Sequence, residues 1–309
     1  MQDYDSALES CQQALDIRLK LYGCNHSDTA DSYYQIGRGQ LEKGDYKSAL
    51  QSFEQALDIS QNVHGKIHPD VSSACSHIGV TKYRLKEYDS ALHWHQQALD
   101  ISVALYGKEH PDCARSYYCI AACQYEMQDY DSALESCQQA LDIRLKLYGC
   151  NHSDTADSYY QIGRGQLEKG DYKSALQSFE QALDISQNVH GKIHPDVSSA
   201  CSHIGVTKYC LKEYDSALHW HHQALDISVA LYGKEHRDCA RSYYCIAECQ
   251  YEMQDYDSAL ESCQQALDTR IKLFGQDNEA RSDSYVQLEF IRSLKKVCES
   301  SRELQSKNC

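Results

Sequence analysis

Apolar residues recur along this chain with the spacing of a helix. Between Tyr46 and His64, the residues Ala49, Leu50, Phe53, Ala56 and Leu57 fall at i, i+1, i+4, i+7 and i+8. That places them on one stripe of an α-helix and not on one face of a strand. A second stripe through Tyr33, Ile36, Gly37 and Leu41 predicts a helix over about Asp28 to Glu42. Lys43-Gly44-Asp45 between them reads as a turn, with Asp45 set to cap the second helix. Gly65 is expected to stop that helix in the left-handed conformation. Pro69 and Asp70 then suit a new helix start, where an N–H is spare and negative charge is favoured.

The pattern repeats. Tyr-Asp-Ser-Ala-Leu or a close variant, followed by Gln-Ala-Leu-Asp, begins at Tyr4, Tyr46, Tyr88, Tyr130, Tyr172, Tyr214 and Tyr256, each 42 residues after the last. The stop glycine recurs with it, at Gly23, Gly107, Gly149, Gly191, Gly233 and Gly275. A fixed period of this size marks a stacked array of supersecondary units. The expected organisation is a single array over 1–309. An orphan helix (about Tyr4 to Tyr22) occupies 1–27. Six helix pairs follow, over 28–69, 70–111, 112–153, 154–195, 196–237 and 238–277. Residues 278–309 form a capping helix. There Glu289 stands where the other units carry Gly37, Gly79, Ala121, Gly163, Gly205 or Ala247, and the polar Lys295, Lys296, Glu299, Arg302 and Glu303 follow. Residues 127–252 copy 1–126 with four differences: Arg84/Cys210, Gln96/His222, Pro111/Arg237 and Ala122/Glu248. Met1 sits at the mid-repeat position of Met127 and Met253, so the sequence reads as a fragment.

Ile36-Gly37, Gly44, Tyr46, Ala49, Phe53 and Ala56 together resemble the tetratricopeptide repeat. The 42-residue period, Gln-Ala-Leu-Asp-Ile and the run Tyr106 to Asp112 are similar to the long repeats of kinesin light chains and nephrocystin-3-like proteins. The resemblance implies an all-α fold of antiparallel helix hairpins wound into a right-handed superhelical solenoid. It also implies that the first helix of each hairpin lines a concave groove for extended or helical peptides. By register the groove positions are Tyr34, Arg38, Tyr83, Arg84, Arg115, Tyr118, Ala122 and Tyr125, then Tyr160, Arg164, Tyr209, Arg241, Tyr244, Glu248 and Tyr251. Tyr and Arg are residue types that dominate binding hot spots, and Arg grips a carboxylate with two parallel bonds. The alternative is that the tyrosines pack between repeats and the arginines pair with Asp31, Glu42 or Glu126.

Charge narrows the partners. A formal net charge of −15 lacks the basic excess of a nucleic-acid binder and does not suit an anionic membrane surface. No apolar run approaches a membrane span, and no signal peptide opens the chain. The sixteen cysteines fall at repeated helix positions, such as Cys75/Cys201, Cys119/Cys245 and Cys123/Cys249, with no CxxC. They read as small buried apolar residues of a reducing compartment, the cytoplasm. His95 and His221 sit where Phe53 sits and are expected to be core histidines bonded to a neighbour. His64 and His68 straddle Gly65 and share no helix face. No phosphate loop and no His-Glu-x-x-His occurs. The expectation is a non-enzymatic scaffold for protein or peptide partners, with no cofactor and no metal. Two alternatives stand beside it: the sensing or assembly array of a larger regulatory protein with an upstream effector domain, and a kinesin-light-chain-like cargo adaptor. The uncovered first helix is a possible self-association surface.

Overall fold

A computed structural model describes residues 4–274 and eight positions between 285 and 295. Thirteen helices cover the described residues outside that last stretch, and no strand occurs among them. In chain order they are α1 (Tyr4–Tyr22), α2 (Ser27–Lys43), α3 (Tyr46–His64), α4 (Pro69–Arg84), α5 (Tyr88–Tyr106), α6 (Pro111–Glu126) and α7 (Tyr130–Tyr148). Then come α8 (Ser153–Glu168), α9 (Tyr172–His190), α10 (Pro195–Cys210), α11 (Tyr214–Tyr232), α12 (Arg237–Glu252) and α13 (Tyr256–Phe274). The helices expected at Tyr4 to Tyr22, Asp28 to Glu42 and Tyr46 to His64 lie at those places. The chain forms two compact units, Met1–Gly149 with α1 to α7 and Cys150–Cys309 with the rest.

Within each unit the pairs α2/α3, α4/α5 and α6/α7, and α8/α9, α10/α11 and α12/α13, are hairpins. A two- or three-residue turn leaves the second helix no course but back along the first. Each hairpin is completed by the next. Ala49, Phe53 and Leu57 of α3 meet Val71, Ala74, Cys75 and Ile78 of α4, and Ala98 of α5 closes the cluster. Ala175, Phe179 and Leu183 repeat the arrangement with Val197, Ile204 and Ala224.

The stop residues depart from expectation in one respect. Gly65 has φ 84 and ψ 177, and Gly107, Gly191 and Gly233 match it. The positive φ was expected, but ψ is extended and not left-handed helical, because the chain must leave α3 at once to reach the start of α4. The tight turn inside the hairpin is the true left-handed one, with Gly44 at φ 86 and ψ 7. Asp45 caps α3 by accepting the Ser48 N–H at 3.2 Å.

The capping helix expected over 278–309 falls largely outside the described residues. The described positions there are helical, and Leu288 and Ile291 are buried against Ala247, Cys263 and Leu267. At the other end, Ile17 of α1 is 57% exposed while its equivalents Ile59 and Ile143 are 8% and 7% exposed. No described helix is long and apolar enough to cross a membrane.

Candidate functional site

The first unit's candidate residues lie on α2, α4 and α6, and two of their tyrosines, Tyr34 and Tyr83, reach the next hairpin. The Tyr34 hydroxyl lies 3.1 Å from Nδ1 of His77, whose ring also reaches the Ser73 carbonyl at 3.0 Å. Tyr34 also meets Phe53 edge-on, with ring centroids 5.7 Å apart. Two arginines bear on this pair, Arg38 from α2 and Arg115 from α6. Burial first, and then the two guanidinium charges, hold the His77 imidazole below its usual pKa. Burial raises the Tyr34 phenol while the same arginines oppose the rise. The second unit repeats the set. Tyr160 meets His203 at 3.1 Å, and burial with Arg241 and Arg164 brings His203 down to about 4. A neutral Tyr–His pair flanked by two cations is therefore built twice.

The arginines differ in engagement. Arg38 is exposed and bonds the neutral Gln35 at 3.5 Å. Arg164 reaches Gln161 at 3.0 Å, and Arg115 pairs with Asp112 at 3.1 Å. Among the described residues no carboxylate stands within ion-pair distance of Arg38, and none of Asp31, Glu42 and Glu126 neutralises it. In the first unit Tyr34 borders a cleft of about 290 Å³ that Arg18, Asp31, Gln35, Asp70 and Ser73 also line. In the second, Tyr160, His203, Ser199, Asp238 and Arg241 border a smaller hollow of about 50 Å³.

The other candidate tyrosines pack against neighbouring side chains. Tyr83 and Tyr125 lie edge-on to Tyr88 and Tyr130 across their own hairpin turns, at 5.4 and 5.5 Å. Tyr209 does the same with Tyr214, and Tyr251 meets Tyr256 at a tilt, 5.9 Å between centroids. The Tyr83 hydroxyl also donates to Glu126 at 3.3 Å, and Tyr209 to Glu252 at 3.4 Å. Tyr118 lies under the Arg144 guanidinium, 4.8 Å from its ring centre, and Tyr244 under Arg270 at 5.4 Å. Arg84 is exposed at the end of α4. Ala122 and Glu248 are half-buried. Burial raises the Glu248 carboxyl, and a hydrogen bond from Tyr244 partly offsets the rise.

Sequence reasoning missed residues that other helices bring to this face. His77 and His203 hold the central bond. Arg18, from the second-helix position of α1, donates to the Asp28 carbonyl at 2.9 Å and to Ser32 Oγ at 2.8 Å. Burial, with Asp70 nearby, raises the Asp31 carboxyl. The loop histidines went unassigned as well. His26, His68, His110, His152, His194 and His236 each cap a helix, their Nδ1 accepting the N–H two residues on at 3.1–3.3 Å. The recurring His–x–Asp spacing was the available signal. His64 and His68 share no helix face, yet the Gly65 turn stacks their rings 4.0 Å apart.

His95 and His221 are buried as expected, but the expected bond to a neighbour is absent at Nδ1 in both. Burial drives each down to about 4. None of the fourteen described cysteines forms a disulfide, and burial lifts Cys75 to about 11 and Cys123 to about 12. Such thiols are inert packing groups.

No curated protein matches the chain in a sequence search. Solved structures share its fold at low identity. BtubC (BKLC) from P. vanneervenii is 19% identical, with a TM-score of 0.65 over 75% of this chain and 94% of that one. The nearly identical TPR-like repeats of a Podosopora anserina protein described as a kinesin light chain are 17% identical, with a TM-score of 0.58 over 67% and 98%. A Rap protein complexed with Competence and Sporulation Factor is 17% identical, with a TM-score of 0.58 over 97% and 88%. The family model of the tetratricopeptide repeat matches residues 1–62, 70–134, 112–188 and 196–272. With the 42-residue hairpins, this shows that the chain belongs to the tetratricopeptide repeat family.

Proposed function

We propose that the chain is a non-enzymatic scaffold whose first-helix face binds peptide segments of partner proteins, with a carboxylate of the peptide held between two arginines. Family membership supports the broader part, a protein-interaction scaffold. One observation carries the finer part: Arg38 with Arg115, and Arg164 with Arg241, flank a neutral Tyr–His pair from the first and third hairpins of their unit. Burial keeps those imidazoles uncharged at neutral pH, so they receive a ligand's hydrogen bond without adding charge. The guanidinium groups supply the forked donors that a carboxylate matches. In the Rap protein a related fold is complexed with Competence and Sporulation Factor, which supports ligand binding by this architecture. The described cysteines form no disulfide, which fits the cytoplasm as the site of action.

Selection of the full chain against a displayed random-peptide library tests the reading. Enriched peptides are expected to carry Asp, Glu or a free C-terminal carboxylate, and Arg38→Ala/Arg164→Ala is expected to weaken them about tenfold or more. Arg38 is exposed, so the melting temperature of Arg38→Ala by itself should hold. Enrichment of cationic peptides, or binding indifferent to the double variant, would overturn the proposal.

A further inference from the structure

We infer that His64, His68 and Asp70 form a site for a first-row divalent cation of the zinc type, and that His190, His194 and Asp196 form a second. One donor atom from each residue of a triad lies within 4.8 Å of the other two. His64 Nε2 stands 3.8 Å and His68 Nδ1 3.4 Å from the same Asp70 Oδ2. The second triad reproduces these distances at 3.8 and 3.4 Å. Two imidazoles and one carboxylate make a donor set suited to zinc and its neighbours, with a coordination position left for water or a ligand.

The choice of residue at position 64 is not explained by packing. The last residue of the second helix stacks on the capping histidine at other places too: Tyr22 on His26 at 4.4 Å, Tyr106 on His110 at 4.1 Å, Tyr232 on His236 at 4.1 Å. Any aromatic ring serves that purpose. Only His64 and His190 add a ring nitrogen, while Tyr or Phe holds the place at 22, 106, 148, 232 and 274. The electrostatics also favour a cation. His64 ends α3, where free carbonyls attract positive charge, and Asp70 offsets the opposite bias of the first turn of α4. The cation would displace one bond, the 3.3 Å contact from the Asp70 N–H to His68 Nδ1, which is at the long edge of hydrogen-bond range. Because Asp70 also lines the cleft beside Tyr34, the ion would border the proposed peptide site.

The test is a Co²⁺ titration of the chelator-treated full chain, read by visible absorption and followed by displacement with Zn²⁺. Two ions per chain are expected, without the intense near-ultraviolet band of a thiolate–cobalt bond. His64→Tyr keeps the ring stack and should remove one ion, and His64→Tyr/His190→Tyr should remove both with the metal-free melting temperature unchanged. Should the tyrosine variants melt early, Asp70→Asn/Asp196→Asn leaves both histidines in place and must abolish binding as well. Equal Co²⁺ uptake by wild type and the double variants, a dominant thiolate band, or no uptake by wild type would each overturn the inference. None of these outcomes depends on peptide binding.

Discussion

A single pair of positions shows how closely residues of adjacent helices are matched. A Cβ added at Gly79 would lie 2.7 Å from the His95 ring, and one at Gly37 2.8 Å from Phe53. Where the first helix carries Ala121 or Ala247, the facing residue is Cys137 or Cys263. Glycine faces a ring and alanine faces a thiol, so the sum of volumes is held. Gly79→Ala is expected to destabilise the chain by about 1–3 kcal/mol through overpacking. His95→Cys in the same chain should recover most of that loss in urea denaturation. The buried histidines also set a pH dependence. Both have folded pKa values of about 4, against about 6.5 when unfolded. The unfolded chain therefore takes up protons first as pH falls. Stability from this source is full above 6.5 and lost on the way down to 4, amounting to roughly 3 kcal/mol per histidine. Arg115 and His77 face His95, while Arg241, His222 and His203 face His221, and all disfavour a further charge. His95→Phe/His221→Phe, which copies Phe53, should flatten the pH profile of the melting temperature, leaving the smaller slope due to His77 and His203.

The elements differ mainly in their turns. Lys86, Gln128, Lys212 and Gln254 sit at φ 61–65, in the place that Gly44 and Gly170 hold in other hairpins. A side chain there crowds the backbone, so Lys86→Gly is expected to raise stability by up to about 1 kcal/mol. Gly65→Ala should act oppositely and more strongly, by about 1–3 kcal/mol, because φ 84 with ψ 177 is open only to glycine. Thermal melts of the two variants check both signs. Each first helix is also anchored by its second. Arg144 is 5% exposed and covers Tyr118, so Tyr118→Ala removes packing together with any ligand contact. A loss of binding in that variant says nothing about the groove, whereas Arg38→Ala does.

For the molecule as a whole, the two units present different chemistry on one scaffold. Ala122 of the first becomes Glu248 of the second, a half-buried acid that accepts from Tyr244 and lies about two turns along α12 from Arg241. Glu248→Ala is expected to strengthen an acidic peptide's binding to the full chain by about threefold to tenfold, and Ala122→Glu to weaken it similarly. Isothermal titration with a selected peptide would show both. The other exchange on this face, Arg84 to Cys210, also removes positive charge from the second unit.

The amino-acid sequence determined the helices, their order and their pairing. These follow from periodicity and turn residues within one 42-residue unit, and seven copies of the signal reinforce one another. It also identified the arginines and tyrosines of the first helices as the residues with chemistry to offer. Tertiary structure alone decided which are available. Tyr34 finds His77 and Tyr83 finds Glu126 at a separation of 43 residues, and Arg144 reaches Tyr118 from another helix. The closing of His64 on His68 likewise depends on the value of ψ at Gly65. Contacts between neighbouring hairpins obey no local period, because they depend on how one stripe meets the next.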